Sequence, residues 1–180
     1  LHGGPGIPTF FLNTTYPTGL EQDFTVVWWE QRGAGLSYSH DIPTDSMTTK
    51  QLIADTVTVT NYLRQRFGQD KIYLLGHSWG SFLGIQVAAE APELFHAYIG
   101  MAQISHQLRS EVIAHDYLLK QYRSFGDDKM VRKLEAAKVS LEEGTSDEWM
   151  SIRDEAMHKL GVGTTHDMHS VITGIFLPVW

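Results

Sequence analysis

The chain has 180 residues, 42% hydrophobic and 19% charged, the make-up of a folded globular domain with enough apolar side chains for one sizeable core. Its 14 basic and 21 acidic residues give a formal charge of −7, which argues against nucleic acid or an anionic membrane as the main partner. With no cysteine it can form no disulfide, thiolate metal site or cysteine nucleophile, and no run approaches the ~18 to 20 apolar residues of a membrane span.

Leu1-His2-Gly3-Gly4 begins without methionine and reads as the end of a strand. The expectation is a chain truncated at its N-terminus, in which a signal peptide would not be visible, and a cytoplasmic location. His2-Gly3-Gly4-Pro5-Gly6 is a turn bare enough for its backbone to approach a ligand closely, stiffened by Pro5. Phe24 to Trp29 is a β-branched and aromatic run bounded by Asp23 and Glu30, which predicts a buried strand. The loop Glu30-Gln31-Arg32-Gly33-Ala34-Gly35-Leu36-Ser37 contains G-x-G, but no helix or third glycine follows in the place a dinucleotide fingerprint requires.

Thr48 and Gln51 fit a capping box, after which Leu52, Thr56, Val59, Leu63 and Phe67 form one helical stripe closed by Gly68. Lys71 to Leu75 predicts a strand, and Gly76-His77-Ser78-Trp79-Gly80 then spells G-x-S-x-G, the nucleophile elbow of the α/β-hydrolases. A serine on so sharp a strand-to-helix turn is strained, and the positions two before and two after it must lack a Cβ. Gly80, Gly84 and Ala88 give the following helix a smooth face for close packing on the sheet. Its N-terminus aims backbone N–H groups at any oxyanion formed on Ser78. In such an elbow one oxyanion donor is the N–H after the nucleophile, here Trp79, and the other comes from a turn of the H-G-G type. Gly4 is the expected donor there, with Gly3 second. Residues 97–101 predict the next strand, completing the alternation of a doubly wound, mostly parallel sheet covered on both faces.

Taken together, His2-Gly3-Gly4-Pro5-Gly6, Glu30-Gln31-Arg32-Gly33-Ala34-Gly35-Leu36-Ser37 and Gly76-His77-Ser78-Trp79-Gly80-Ser81 resemble the proline iminopeptidase branch of the α/β-hydrolases. That branch carries H-G-G-P-G, D-Q-R-G-x-G-x-S and G-x-S-W-G in this order. Glu30 replaces the branch's aspartate, and His77 stands where many members carry glycine or glutamine. The resemblance covers roughly residues 1 to 105. It implies a partial α/β-hydrolase core there, a serine aminopeptidase that works through an acyl-enzyme, a small-molecule or short-peptide substrate, and no cofactor or metal.

Residues 106–180 read as helices, similar to the cap this family places over its active site. One is predicted over 107–125, closing at Gly126, and a second is capped by Asp127 and ends at Gly144. A third has a Thr145/Glu148 capping box and ends near Gly161, and a fourth begins around His166. The resemblance implies that cap carboxylates hold the substrate's amine, and Glu135, Glu142, Glu143, Glu148 and Glu155 are the candidates. The triad acid and base follow the cap in this family, and none of the nine histidines stands where a general base is expected. The expectation is therefore a chain with nucleophile and oxyanion hole but no acid or base, inert by itself. An esterase or lipid hydrolase, and a non-catalytic relative that only binds a small ligand, are the other readings of the same pattern.

Overall fold

A computed structural model describes residues 1–162, in a chain that divides into two compact units, Leu1–Ser105 and His106–Trp180. Among the described residues no helix is long and apolar enough to cross a membrane.

In the first unit a short helix α1 (Phe10–Thr15) follows the glycine turn. Helix α2 (Thr49–Phe67) starts and stops on local chemistry: Thr48 Oγ1 accepts from the Gln51 N–H at 3.2 Å, and Gly68 at φ 61° closes the last turn. The expected capping box is only half made. Gln51 Nε2 reaches forward to Asp55 Oδ1 at 2.8 Å, because a charged acceptor one turn away makes the stronger bond. Leu52, Thr56 and Thr60 are buried, whereas Phe67, predicted on the same stripe, is exposed.

Strand β1 (Ile72–His77), helix α3 (Trp79–Glu90) and strand β2 (Phe95–Met101) follow as predicted, and the two strands pair in parallel with Leu74 opposite Tyr98 and Gly76 opposite Gly100. Leu1 lies along the other edge of β1: its amine donates to the Leu75 carbonyl at 2.5 Å and its carbonyl accepts from the His77 N–H at 3.0 Å. Leu52, Leu74, Leu83, Val87, Leu94 and Phe95 form the core on one face of this sheet. The expectation of a sheet covered on both faces is corrected for the described residues, since Tyr73 is 54% and Ile99 45% exposed.

The predicted strand over Phe24 to Trp29 is a second correction. These residues join no ladder, and Phe24, Val27 and Trp28 are exposed. β-branched and aromatic residues suit a pleated surface, but a strand forms only beside a partner edge. Here the run is held by side chains instead, with Phe24 edge-on to Tyr73 at 5.7 Å and Trp28 edge-on to Phe10 at 6.4 Å.

The second unit is built on helices α4 (Gln107–Phe125), α5 (Asp128–Ala136) and α6 (Trp149–Lys159). Gly126 at φ 70° ends α4, and Asp127 Oδ1 caps α5 through the Met130 N–H at 3.0 Å, both as expected. Helix α5 stops at Ala136, however, well short of Gly144. A small antiparallel hairpin follows, of β3 (Val139–Ser140) and β4 (Gly144–Thr145), so the described part is not all helical. Thr145 is spent in β4, so the third helix has no side-chain cap. The helix expected around His166 lies outside the described residues. Trp149, Leu118, Leu134 and Ala156 are fully buried together.

Trp149 is 0% exposed and hydrogen-bonds as well as packs. Trp149→Ala is expected to cost about 3–5 kcal/mol, read as a lowered urea midpoint for the transition of this unit.

Candidate active site

Ser78 sits between the end of β1 and the first residue of α3, at φ 52° and ψ −120°. For an L-residue that is a left-handed, strained backbone. Its neighbours are tightly packed. A Cβ on Gly76 would stand 2.7 Å from the Gly80 carbonyl carbon, and one on Gly80 would stand 2.7 Å from the His2 carbonyl oxygen. Both glycines flanking the serine are therefore required by backbone crowding, as the motif implies. Gly84 is required one turn on, where a Cβ would meet the Tyr98 ring at 2.7 Å. The Ser78 N–H donates to the Met101 carbonyl at 2.9 Å, and its own carbonyl accepts from the Ser81 N–H at 2.8 Å.

The glycine turn passes directly beside this serine: a Cβ on Gly3 would lie 3.1 Å from Ser78 Cβ. Gly4 follows at φ 111°, a conformation open to glycine, and a Cβ there would stand 2.8 Å from the Gly6 nitrogen and 2.9 Å from that of Ile7. The backbone N–H groups of Gly3, Gly4 and Trp79 donate to no other group among the described residues. Trp79 packs its ring on Phe82 at 5.1 Å. No described side chain hydrogen-bonds to Ser78 Oγ.

His2 explains how the turn is held. It is 5% exposed, its Nδ1–H donates to the Gly3 carbonyl at 2.9 Å, and its Nε2 accepts from the Gln31 N–H at 3.1 Å. Gln31 answers with its side-chain amide on the His2 carbonyl at 3.0 Å. These bonds require the neutral imidazole, and burial pushes its pKa below the ordinary 6.5. The second motif is then braced on α2, where Arg32 grips Asp55 in a two-pronged pair at 2.7 Å. The Arg32 hydrogen bonds hold the Asp55 carboxyl below its usual range. In the loop after Glu30, Gly35 packs its bare Cα against the Glu30 carboxylate, which accepts from the Leu36 N–H at 2.5 Å, while Gly33 faces the Met47 side chain.

The predicted amine-holding carboxylates fall out differently. Glu155 is clamped by Lys133 and Lys159 at 2.7 and 2.8 Å, which lowers its pKa to about 2, and Glu135 pairs with Arg123 at 2.7 Å. Glu143 lies 3.9 Å from Lys138, and Glu142 and Glu148 are exposed. The carboxylate that sequence reasoning missed is Glu111. It is 4% exposed and accepts from Trp149 Nε1 at 2.8 Å, Arg153 Nη1 at 2.6 Å and the Gln107 side chain. A glutamate between Ser110 and Val112 gave no sign of which partners would bury it. Among the described residues no three acidic or histidine side chains come together to hold a metal.

The sequence matches the family model for the alpha/beta hydrolase fold over residues 1–153. The chain belongs to the α/β-hydrolase fold family. Among curated relatives of this hydrolase-fold chain, the probable aminopeptidase YbaC of Bacillus subtilis (strain 168) is 46% identical over 118 residues, 66% of this chain and 37% of that protein. A proline iminopeptidase of Clostridium botulinum is 36% identical over 55% of this chain and 32% of its own length. One from Saccharolobus solfataricus is 31% identical over 76% and 46%. The matched part therefore spans less than half the length of each of these curated relatives. Among solved structures, the proline iminopeptidase of Mycobacterium smegmatis aligns with a TM-score of 0.55 over 88% of this chain and 57% of that one, at 19% identity.

The buried neutral His2 makes stability depend on pH. Its folded pKa lies below the unfolded value of 6.5, so between the two the unfolded chain holds more protons. The stabilisation is whole above about 6.5 and is lost as pH falls through the folded value. Thermal unfolding is expected to drop between pH 7 and 5 more steeply in the wild type than in His2→Gln. The variant comparison separates this from the Leu1 amine, which burial lowers to about 6. Parallel curves would contradict the assignment.

Proposed function

We propose that this chain carries the nucleophile and oxyanion hole of a serine hydrolase, a proline iminopeptidase-like aminopeptidase that works through an acyl-enzyme. The observation that carries the reading is the left-handed Ser78 at the N-terminus of α3, held between two glycines that admit no Cβ. Strain of this kind in a non-glycine residue has a use when it projects a reactive hydroxyl. In the proposed reaction Ser78 Oγ attacks the carbonyl carbon of the substrate's first residue and the carbonyl oxygen becomes an oxyanion. The N–H groups of Trp79 and Gly4 receive it, each worth on the order of 3 kcal/mol in the transition state. Gly3 is the second choice for Gly4. The amine then leaves with a proton, and water cleaves the acyl-serine. The names of the curated relatives support an aminopeptidase over an esterase.

The general base and its acid are required by such chemistry, because a lone serine hydroxyl is a poor nucleophile at neutral pH. The reading places them in the part of the family's length that this chain does not span. His2 is a poor candidate for the base, since both of its ring nitrogens are already engaged. Purified by itself, the chain is expected to show no turnover of proline p-nitroanilide or of short-chain p-nitrophenyl esters near the ~10 per second of ordinary enzymes. Turnover abolished by Ser78→Ala would show instead that a residue of this chain serves as base. In the full-length protein a serine-directed phosphonate is expected to label Ser78. Labelling elsewhere, or undiminished activity in Ser78→Ala, would overturn the nucleophile. The ratio of peptide to ester turnover distinguishes the aminopeptidase from an esterase, and binding without turnover would mark a non-catalytic relative.

A further inference from the structure

Two non-glycine residues among the described ones have positive φ, Ser78 at 52° and Ala102 at 47°. They lie on the two chain segments that meet behind the elbow, the turn after β1 and the turn after β2, and one side chain touches both. Ser81 is 0% exposed. Its hydroxyl stands 2.6 Å from the Ser78 carbonyl and 3.4 Å from the Ala102 carbonyl, and it accepts from the Ile104 N–H at 2.9 Å. A hydroxyl has one proton, and the shorter contact takes it. Ser81 thus donates to Ser78 and accepts from Ile104, which ties the strained turn to the loop leaving the sheet.

The same loop is fastened a second time. The Tyr98 hydroxyl faces two acceptors, Gln103 Oε1 at 2.6 Å and the Ser81 carbonyl at 2.9 Å. Its one proton goes to the nearer, and Gln103 Nε2 reaches the Ser81 carbonyl at 3.3 Å and the Ile104 carbonyl at 2.9 Å. Burial raises the Tyr98 pKa, so the hydroxyl stays a donor at neutral pH. The Ser78 N–H, bonded to Met101, closes the circuit from the other side.

We propose that Ser81 is a positioning residue for Ser78: its buried hydroxyl clamps the Ser78 carbonyl to the Ala102–Ile104 loop and so holds the elbow in its left-handed state. This rests on the reading of Ser78 as nucleophile only for its catalytic consequence. Without the clamp the Ser78 carbonyl loses its shortest partner, the half-buried Ile104 N–H loses its acceptor, and the turn is free to relax toward an ordinary backbone. An ångström of drift at a nucleophile is enough to lower a rate on the order of a hundredfold.

Ser81→Ala removes the hydroxyl and Ser81→Thr keeps it. Ser81→Cys, close in size but a far weaker donor, serves where alanine does not fold. Amide hydrogen exchange of the 180-residue chain gives the first readout. In Ser81→Ala the Ser78 amide is expected to lose at least about tenfold more protection than the Leu83 and Val87 amides in the same helix, with Ser81→Thr near wild type. A loss at Ser78 no greater than at Leu83 would mean simple destabilisation and would overturn the clamp. The second readout is turnover by the full-length protein, in which kcat is expected to fall about tenfold or more with KM little changed, and to recover in Ser81→Thr. Unchanged kcat in a folded Ser81→Ala would overturn the positioning role. If Ser78→Ala leaves full-length turnover intact, the hydrolase reading fails by itself, and the exchange result still decides the clamp.

Discussion

Ser78 adopts a backbone that costs of the order of 1–3 kcal/mol, and the first unit is arranged so that it cannot leave it. The strained turn is closely packed by backbone and by one aromatic ring. The Gly80 carbonyl fills the space where a Gly76 Cβ would be, the Leu1–His2 backbone fills that of Gly80, and the Tyr98 ring fills that of Gly84. Helix α3 can sit this close to the sheet only because its sheet-facing side is bare. That closeness in turn puts its N-terminal amides next to the serine. Hydrogen bonds from the Ser78 N–H to Met101, and to the Ser78 carbonyl from the Ser81 and Phe82 N–H groups, offset the strain on both of its peptide groups.

The three glycine-rich motifs, far apart in sequence, are one physical object. His2 and Gln31 exchange hydrogen bonds in a dry environment, where leaving either unpaired would cost the full desolvation of a polar group. Arg32, next in the chain, carries the connection to α2 through Asp55, and Leu1 carries it to β1 through the sheet. The glycine turn is thereby fixed beside Ser78 without contributing any side chain to the site. Its unspent amides are what the turn offers. Gln31 is 2% exposed for this reason, although nothing about a glutamine between two charged residues suggests burial.

The second unit solves a different problem, the burial of a carboxylate. Glu111 is surrounded by Trp149, Arg153 and Gln107, so its acceptor capacity is met by three donors. Such a buried pair adds little net stability over an apolar core but is strict about geometry. It orients α6 on α4 by named atoms, while Tyr122 bonds the Ala156 carbonyl at 2.8 Å from the same helix. The hairpin of β3 and β4 replaces the end of the predicted second helix, with Val139 opposite Thr145 and Ser140 opposite Gly144, which takes φ 83° as β4 begins.

What could be read from the sequence was chemistry that acts over four or five residues. Thr48 and Asp127 as caps, Gly68 and Gly126 as stops, and the Gly76-x-Ser78-x-Gly80 turn follow from local hydrogen bonding and from the room a missing Cβ leaves. The fold family followed from the order of three motifs. What needed tertiary structure was every choice between competing partners at a distance. Gln51 turned to Asp55 rather than back to its cap, Thr145 paired with Val139 rather than capping α6, and the Phe24 to Trp29 run found aromatic side chains rather than a strand edge. His2 with Gln31, Glu111 with Arg153, and Ser81 with Ile104 are separated by 29, 42 and 23 residues. No periodicity or cap pattern spans such distances. These partners meet only once the sheet and helices have brought them together, and until then each side chain has water as an equally good alternative.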